Sequence, residues 1–197
     1  MRQTVRFLAQ SLTRFRTTGA VLPSSEKLAR AVADAVPPLD SSAVILELGP
    51  GTGVLTRELL RRFPRHHLVA VEFNPVFAER LRRELPQAEI VTGCASRLRP
   101  ILADLGIATE DVGAVVSGLP LLSLPRDLRR SIVDSVSDIL SPGRRFVQFT
   151  YSKRAWRRSV PAGFRLEKTR RVWLNVPPAF VLPFTRVPVA DAQVAVA

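Results

Sequence analysis

Two carboxylates and three glycines are the residues of this chain whose types and spacing could do chemistry. The stretch Val44-Ile45-Leu46-Glu47-Leu48-Gly49-Pro50-Gly51-Thr52-Gly53 carries an acid inside a short apolar run and then breaks into a glycine-rich turn. An apolar run this short, stopped by glycine, predicts a buried parallel strand. Gly49, Gly51 and Gly53 permit a tight turn and let the backbone approach a ligand with no side chain in the way. Amides at the start of the amphipathic segment from Val54 to Phe63 then face that ligand. Glu72 closes the next apolar run, Leu68-Val69-Ala70-Val71, and is followed by Phe73 and Asn74. An acid roughly 20 residues past a glycine turn suits a ribose diol, because a carboxylate accepts from both hydroxyls.

Two common phosphate loops are excluded. The dinucleotide fingerprint needs a third glycine where this chain has Val54, and no Gly-Lys-Ser/Thr triplet exists for a Walker loop. Glu47 inside the loop repels a polyphosphate and favours a cation. The alternative is a plain structural turn flanked by two unrelated acids. The whole pattern resembles the S-adenosylmethionine site of Rossmann-like, class I methyltransferases. That resemblance implies Glu47, Gly49, Gly51, Gly53, Glu72, Phe73 and Asn74 as donor-binding residues, joined by Cys94, Ala95, Ser117, Gly118, Ser24 and Ser25, with no metal.

The elements that must hold these residues alternate in type. Ser24 or Ser25 can cap a helix whose apolar side is Leu28, Ala29, Ala31, Val32, Ala35 and Val36, ended by Pro37-Pro38. After the first two strands come a helix from about Val76 to Leu85, a strand near Glu89 to Thr92 and a helix near Leu98 to Leu105. A strand over Ala114 to Ser117, a helix from Leu124 to Leu140 and a strand over Arg145 to Tyr151 follow. Strand–helix alternation implies a doubly wound, mostly parallel sheet. Arg165 to Asn175 and Ala179 to Val187 have no helix between them and predict an antiparallel pair at the edge, joined at Pro177-Pro178. The expected architecture is thus α/β and Rossmann-like, a seven-stranded sheet with an antiparallel edge. Residues 19–190 form the domain, residues 1–18 an added helix, and residues 191–197 a frayed tail.

That first segment places Met1, Val5, Leu8, Leu12 and Phe15 on one helical face, flanked by Arg2, Arg6, Arg14 and Arg16. A basic amphipathic helix can lie in a headgroup layer or pack across the domain as a lid. The whole chain shares the basic bias: 29 Lys and Arg against 17 Asp and Glu, a net charge of +12 over 197 residues. Such a surface attracts phosphates, on nucleic acid or on an anionic membrane. One cysteine excludes disulfides and fits a reducing cytosol. His66 and His67 lack metal-ligand spacing. No apolar run approaches the roughly 18 to 20 residues of a spanning helix, and the N-terminus lacks the features of a secretory signal. A cytoplasmic, peripheral membrane location follows as the expectation.

On the acceptor side, ligands of open parallel sheets bind at the carboxyl ends of the strands. There the chain reads Ser117-Gly118-Leu119-Pro120-Leu121-Leu122 and Thr150-Tyr151-Ser152. Methyltransferases of the adenine amine carry Asn or Asp, then Pro-Pro or Leu-Pro, then an aromatic. This chain keeps Leu119-Pro120 but has Ser117-Gly118 and Leu121 where the base would be gripped. Over nearly its full length it resembles the bacterial phospholipid N-methyltransferases. The matching pieces are Gly19-Ala20, Pro23-Ser24-Ser25, the Glu47 to Gly53 loop, Glu72, Ser117 to Leu122, and Asn175-Val176-Pro177-Pro178-Ala179. Such enzymes often carry Gly-Asp-Ala after the third strand, where this chain has Gly93-Cys94-Ala95-Ser96, leaving adenine to backbone groups or Ser96.

The resemblance implies a phosphatidylethanolamine substrate, methylated stepwise toward phosphatidylcholine on an anionic membrane surface. No nucleic-acid partner and a monomer are expected. A ribosomal RNA adenine dimethyltransferase is the alternative, and a catalytically silent membrane-binding protein the non-enzymatic one. Tyr151, the chain's one tyrosine, and Ser117 are the catalytic candidates. Lys153, Arg154, Arg157 and Arg158 directly follow Tyr151 and are candidates for the lipid phosphate.

Overall fold

A computed structural model describes residues 26–152, 160–173 and 178–188. The anticipated helix over 1–18, the Ser24 and Ser25 cap, Lys153, Arg154, Arg157, Arg158, the Asn175-Val176-Pro177 corner and the tail lie outside the described residues.

Helix α1 (Glu26–Ala33) precedes strand β1 (Val44–Leu48), all five of whose residues are buried. The glycine turn leads into α2 (Val54–Arg62), followed by β2 (His67–Glu72). Asn74 then accepts from the Val76 amide and Pro75 occupies the first turn of α3 (Pro75–Glu84). An amide cap followed by proline is a strong local start signal. Next come β3 (Glu89–Thr92), a short 3₁₀ turn over Ala95–Arg97, α4 (Leu98–Asp104) and β4 (Val112–Ser117). Helix α5 (Arg126–Ile139) buries Leu128, Ile132, Val136 and Ile139, spaced to lie on one side, and leads to β5 (Arg145–Thr150). Three strands finish the described chain: β6 (Phe164–Leu166), β7 (Arg170–Val172) and β8 (Ala179–Arg186).

The sheet runs β3-β2-β1-β4-β5-β8, with β6 and β7 both on the outer side of β8. Pairings from β3 through β5 are parallel, and β8 runs antiparallel to β5. Strand order reverses between β1 and β4, so the glycine turn opens at the crevice where such sheets take ligands. One core layer joins Leu46, Leu48, Val71, Val115 and Phe146 to Leu98, Leu102, Ile132 and Val136. On the other face Ile45, Ala70, Val116 and Val181 pack under Leu28, Val32, Leu59 and Leu81.

The antiparallel edge is more divided than the pattern of Arg165 to Asn175 predicts. β6 pairs with Phe184 to Arg186 and β7 with Ala179 to Val181, and the ladder between them breaks. The gap faces Pro183, which has no N–H to give to a ladder; only its carbonyl is used, by the Glu167 amide at 2.8 Å. Among the described residues eight strands therefore stand where seven were anticipated.

Candidate functional site

The site begins with the backbone of the loop after β1. Gly49, Gly51 and Gly53 all take left-handed conformations, at φ 70°, 57° and 79°. Gly49 donates to the Val71 carbonyl at 2.9 Å, and Gly118 donates to that of Leu48 at 2.8 Å, so the loops after β1 and β4 are stitched together. Their contact leaves no room. A Cβ on Gly118 would fall 2.7 Å from the Gly49 carbonyl oxygen, and one on Gly49 2.3 Å from a Leu119 methyl. At Gly51, by contrast, a Cβ would meet nothing within 4 Å among the described residues. Gly53 begins α2 with no side chain capping its first amides.

Alternation along the strands places Glu47 and Glu72 on the same face of the sheet as Ile45 and Ala70. Glu72 is 3% exposed; its two carboxylate oxygens accept from the Gly51 amide at 3.0 Å and the Asn74 amide at 2.8 Å. Burial raises its pKa, and the amides of Asn74, Gly51 and Phe73 hold that rise back. A carboxylate has about four acceptor sites, so two such bonds leave capacity for a diol. Glu47 is 0% exposed, and among the described residues neither of its oxygens finds a hydrogen-bond partner. Burial pushes its pKa up to about 8; the nearby Thr56 hydroxyl opposes the shift and the Glu72 charge adds to it. Thr56 is close enough to act on that charge, but its hydroxyl is also buried outside hydrogen-bonding geometry.

This arrangement fits a cationic, ribose-bearing molecule. An orphaned buried carboxyl is costly unless a positive group meets it. The open space above Gly51 admits a ligand beside a carboxylate already pinned for a diol. Among the described residues no group of three or more His, Cys, Asp and Glu comes together to hold a metal ion.

The other anticipated residues fall as follows. Asn74 sits at the site but spends its side chain capping α3. Phe73 packs against the core, and Cys94 lies 3.1 Å from the Ser96 hydroxyl, just ahead of buried Ala95. Ser117 is buried, and its hydroxyl accepts from the Leu119 amide at 3.3 Å. Tyr151 follows the last residue of β5 and is half-buried against the α1 layer, edge-on to Phe149 at 6.1 Å. Gln148 is a residue that sequence reasoning missed. It is buried beside Ser117 in the sheet, and its amide nitrogen donates to the Leu119 carbonyl at 3.0 Å and the Phe149 carbonyl at 2.7 Å. Its one available signal was an amide inside the apolar run Phe146 to Phe149.

Comparison with known proteins agrees with this geometry. Residues 45–143 match the family described as "Methyltransferase domain". The ornithine lipid N-methyltransferase of Singulisphaera acidiphila is 32% identical over 148 residues, which cover 73% of this chain and 76% of that protein. Ribosomal RNA small subunit methyltransferase A of Thiobacillus denitrificans is 34% identical over 93 residues, but this match spans only 34% of that protein. In fold, the chain resembles the 1,6-didemethyltoxoflavin-N1-methyltransferase of Burkholderia thailandensis, solved with S-adenosylhomocysteine bound. The TM-score is 0.69 at 16% identity, covering 95% of this chain and 90% of that one. The chain belongs to the methyltransferase domain family, with the class I, S-adenosylmethionine-dependent architecture.

Proposed function

We propose that the protein transfers methyl groups to the headgroup amine of phosphatidylethanolamine and its mono- and dimethylated forms, at the cytoplasmic face of a membrane. The observation that carries this reading is the loop after β4. Ser117, which ends β4 and opens onto this loop, is buried and occupied by the Leu119 amide, and Gly118 is pressed against the Gly49 carbonyl. The loop thus offers no Asn or Asp to hold a base and no ring to stack on it. Similarity to an ornithine lipid N-methyltransferase supports a lipid amine as acceptor.

When bound, S-adenosylmethionine supplies a methyl group on a sulfonium, open to in-line attack. The chain's task is to hold and align. Glu47 faces the cationic end of the donor and Glu72 its ribose, with the amides of Gly51 and Asn74 fixing the Glu72 carboxylate. Cys94, Ala95 and Ser96 serve the adenine end, and Ser24 and Ser25 are assigned to donor binding. The acceptor amine resembles a lysine amine, with a solution pKa near about 10.4, and must be neutral to attack. A dehydrated site favours the neutral form. Tyr151 accepts from that amine and lays its ring against the increasingly methylated headgroup, while Ser117 keeps the loop in place. Lys153, Arg154, Arg157 and Arg158 take the lipid phosphate. Alignment of this kind supplies up to about 7 to 11 kcal/mol in well-oriented systems.

Phosphatidylethanolamine vesicles incubated with labelled donor should yield labelled headgroup. Intact donor binding with no lipid product would reject the reading. Glu72→Ala should abolish turnover while vesicle association survives, which also separates an enzyme from a silent membrane-binding protein. The ribosomal RNA alternative has its own observation, the 34% identity over 93 residues. It predicts labelled RNA, and the lipid reading predicts none.

A further inference from the structure

Beyond the donor site, the outer edge of the sheet carries a group of residues that methyl transfer leaves unused. Trp173 directly follows β7 and is 68% exposed, an unusual setting for an indole. The guanidinium carbon of Arg171 stands 3.6 Å from the Trp173 ring centroid and 5.4 Å from that of Phe180. Arg171 is opposite Phe180 in the ladder, and Phe180 is opposite Thr150. The cluster therefore stands level with the carboxyl end of β5, on the face of the sheet opposite to that of Tyr151. It lies four strand spacings from β1, about 19 Å across the sheet.

Charge sets Arg171 apart from its neighbours. Arg170 is paired with Asp34 at 3.1 Å and Arg165 with Glu167 at 3.2 Å. Among the described residues no carboxylate pairs with Arg171. Ring faces stabilise a guanidinium through its charge without consuming its N–H donors, so those donors stay available to an anion. An exposed indole beside an arginine with free donors combines the two chemistries of a lipid headgroup layer. Indoles partition to that depth, and guanidinium groups bind phosphate there. The surrounding chain, at a net charge of +12, complements an anionic surface.

We propose that Arg171, Trp173 and Phe180 form a docking edge that seats the protein on an anionic phospholipid surface, with the carboxyl ends of β4 and β5 turned toward the headgroups. The inference rests on the lipid-amine reading for its purpose, but its binding chemistry stands apart from it.

The chain has two tryptophans, so a Trp156→Phe protein leaves Trp173 as the sole indole reporter. Adding phosphatidylcholine vesicles that contain phosphatidylglycerol should shift its emission to the blue, with quenching by bromine on shallow acyl positions. Phosphatidylcholine alone should do far less. In the otherwise native chain, Trp173→Ser and Arg171→Gln should each weaken binding to the phosphatidylglycerol vesicles about tenfold, in line with withdrawing one aromatic or one phosphate contact. Unchanged affinity for S-adenosylhomocysteine would show that these variants are folded. Emission that stays red with both vesicle types, or variants that bind like the parent, would overturn the proposal. So would a blue shift that needs no lipid and grows with protein concentration, which would seat a second copy there. Insertion of Trp173 without any methylated lipid would uphold the docking edge and fell the substrate reading; methylated lipid with Trp173 still in water would do the reverse.

Discussion

Glu47 sits in the first strand with both oxygens unpaired among the described residues, and burial pushes its pKa up to about 8 from an ordinary 4.5. The sign follows from linkage. A carboxyl whose folded pKa is raised contributes stability that is fully present below 4.5 and is lost as pH climbs through about 8. Glu47→Gln, which cannot ionise, should flatten the fall in melting temperature across that interval. A residual slope should remain from Glu72, whose pKa is also raised by burial. A cationic donor reverses the preference by stabilising the carboxylate. Binding S-adenosylmethionine near neutral pH should therefore release a proton, and the calorimetric heat should vary with the ionisation enthalpy of the buffer. The same titration on Glu47→Gln should lose that dependence. Heats identical in all buffers for the parent protein would remove Glu47 from the donor's cationic end.

Two loops, after β1 and after β4, make the site as a single back-to-back unit, and their glycines fail differently when replaced. Gly118→Ala drives a methyl to 2.7 Å from the Gly49 carbonyl, a backbone obstacle that cannot rotate away. It should cost about 1 to 3 kcal/mol of stability, read by chemical denaturation. Gly51→Ala meets no clash among the described residues and carries the strain of φ 57°, about 1 to 2 kcal/mol. Its methyl enters the open space above the loop, so donor affinity should collapse while most of the stability remains. A Gly51→Ala protein that binds donor normally would put the donor elsewhere. These loops were legible in the sequence because a strand, a glycine break and a helix start are all local signals, as was a helix beginning near Val76, although the Asn74 cap that starts it was read only as a donor residue. What escaped was set by distant partners. The break between β6 and β7 is dictated by Pro183, some 15 residues on in the chain, and Gln148 ties its strand to the loop after β4 through the Leu119 carbonyl brought to it across the sheet.

At the scale of the whole molecule, charge and cofactor chemistry separate cleanly. A net charge of +12 draws the protein to any polyanion, RNA as well as anionic lipid, so affinity alone says little about substrate and the labelled product decides. Salt offers a further distinction. The screening length falls from about 30 Å at 0.01 M ionic strength to about 8 Å at 0.15 M, and exposed charges lose most of their reach over that range. Vesicle association should weaken steeply across it, because the cations responsible lie on the surface. Donor affinity should change little, because Glu47 and Glu72 are 0% and 3% exposed and buried charges are screened far less. Deleting residues 1–18 should reduce vesicle association most at low salt if their arginines help attract the membrane. A deletion effect that is the same at every salt concentration would assign that segment to covering the site instead. Sedimentation with phosphatidylglycerol vesicles and titration calorimetry with S-adenosylhomocysteine, run over one salt series, measure both affinities. Parallel decline of the two would contradict the division between a buried donor site and a charged outer surface.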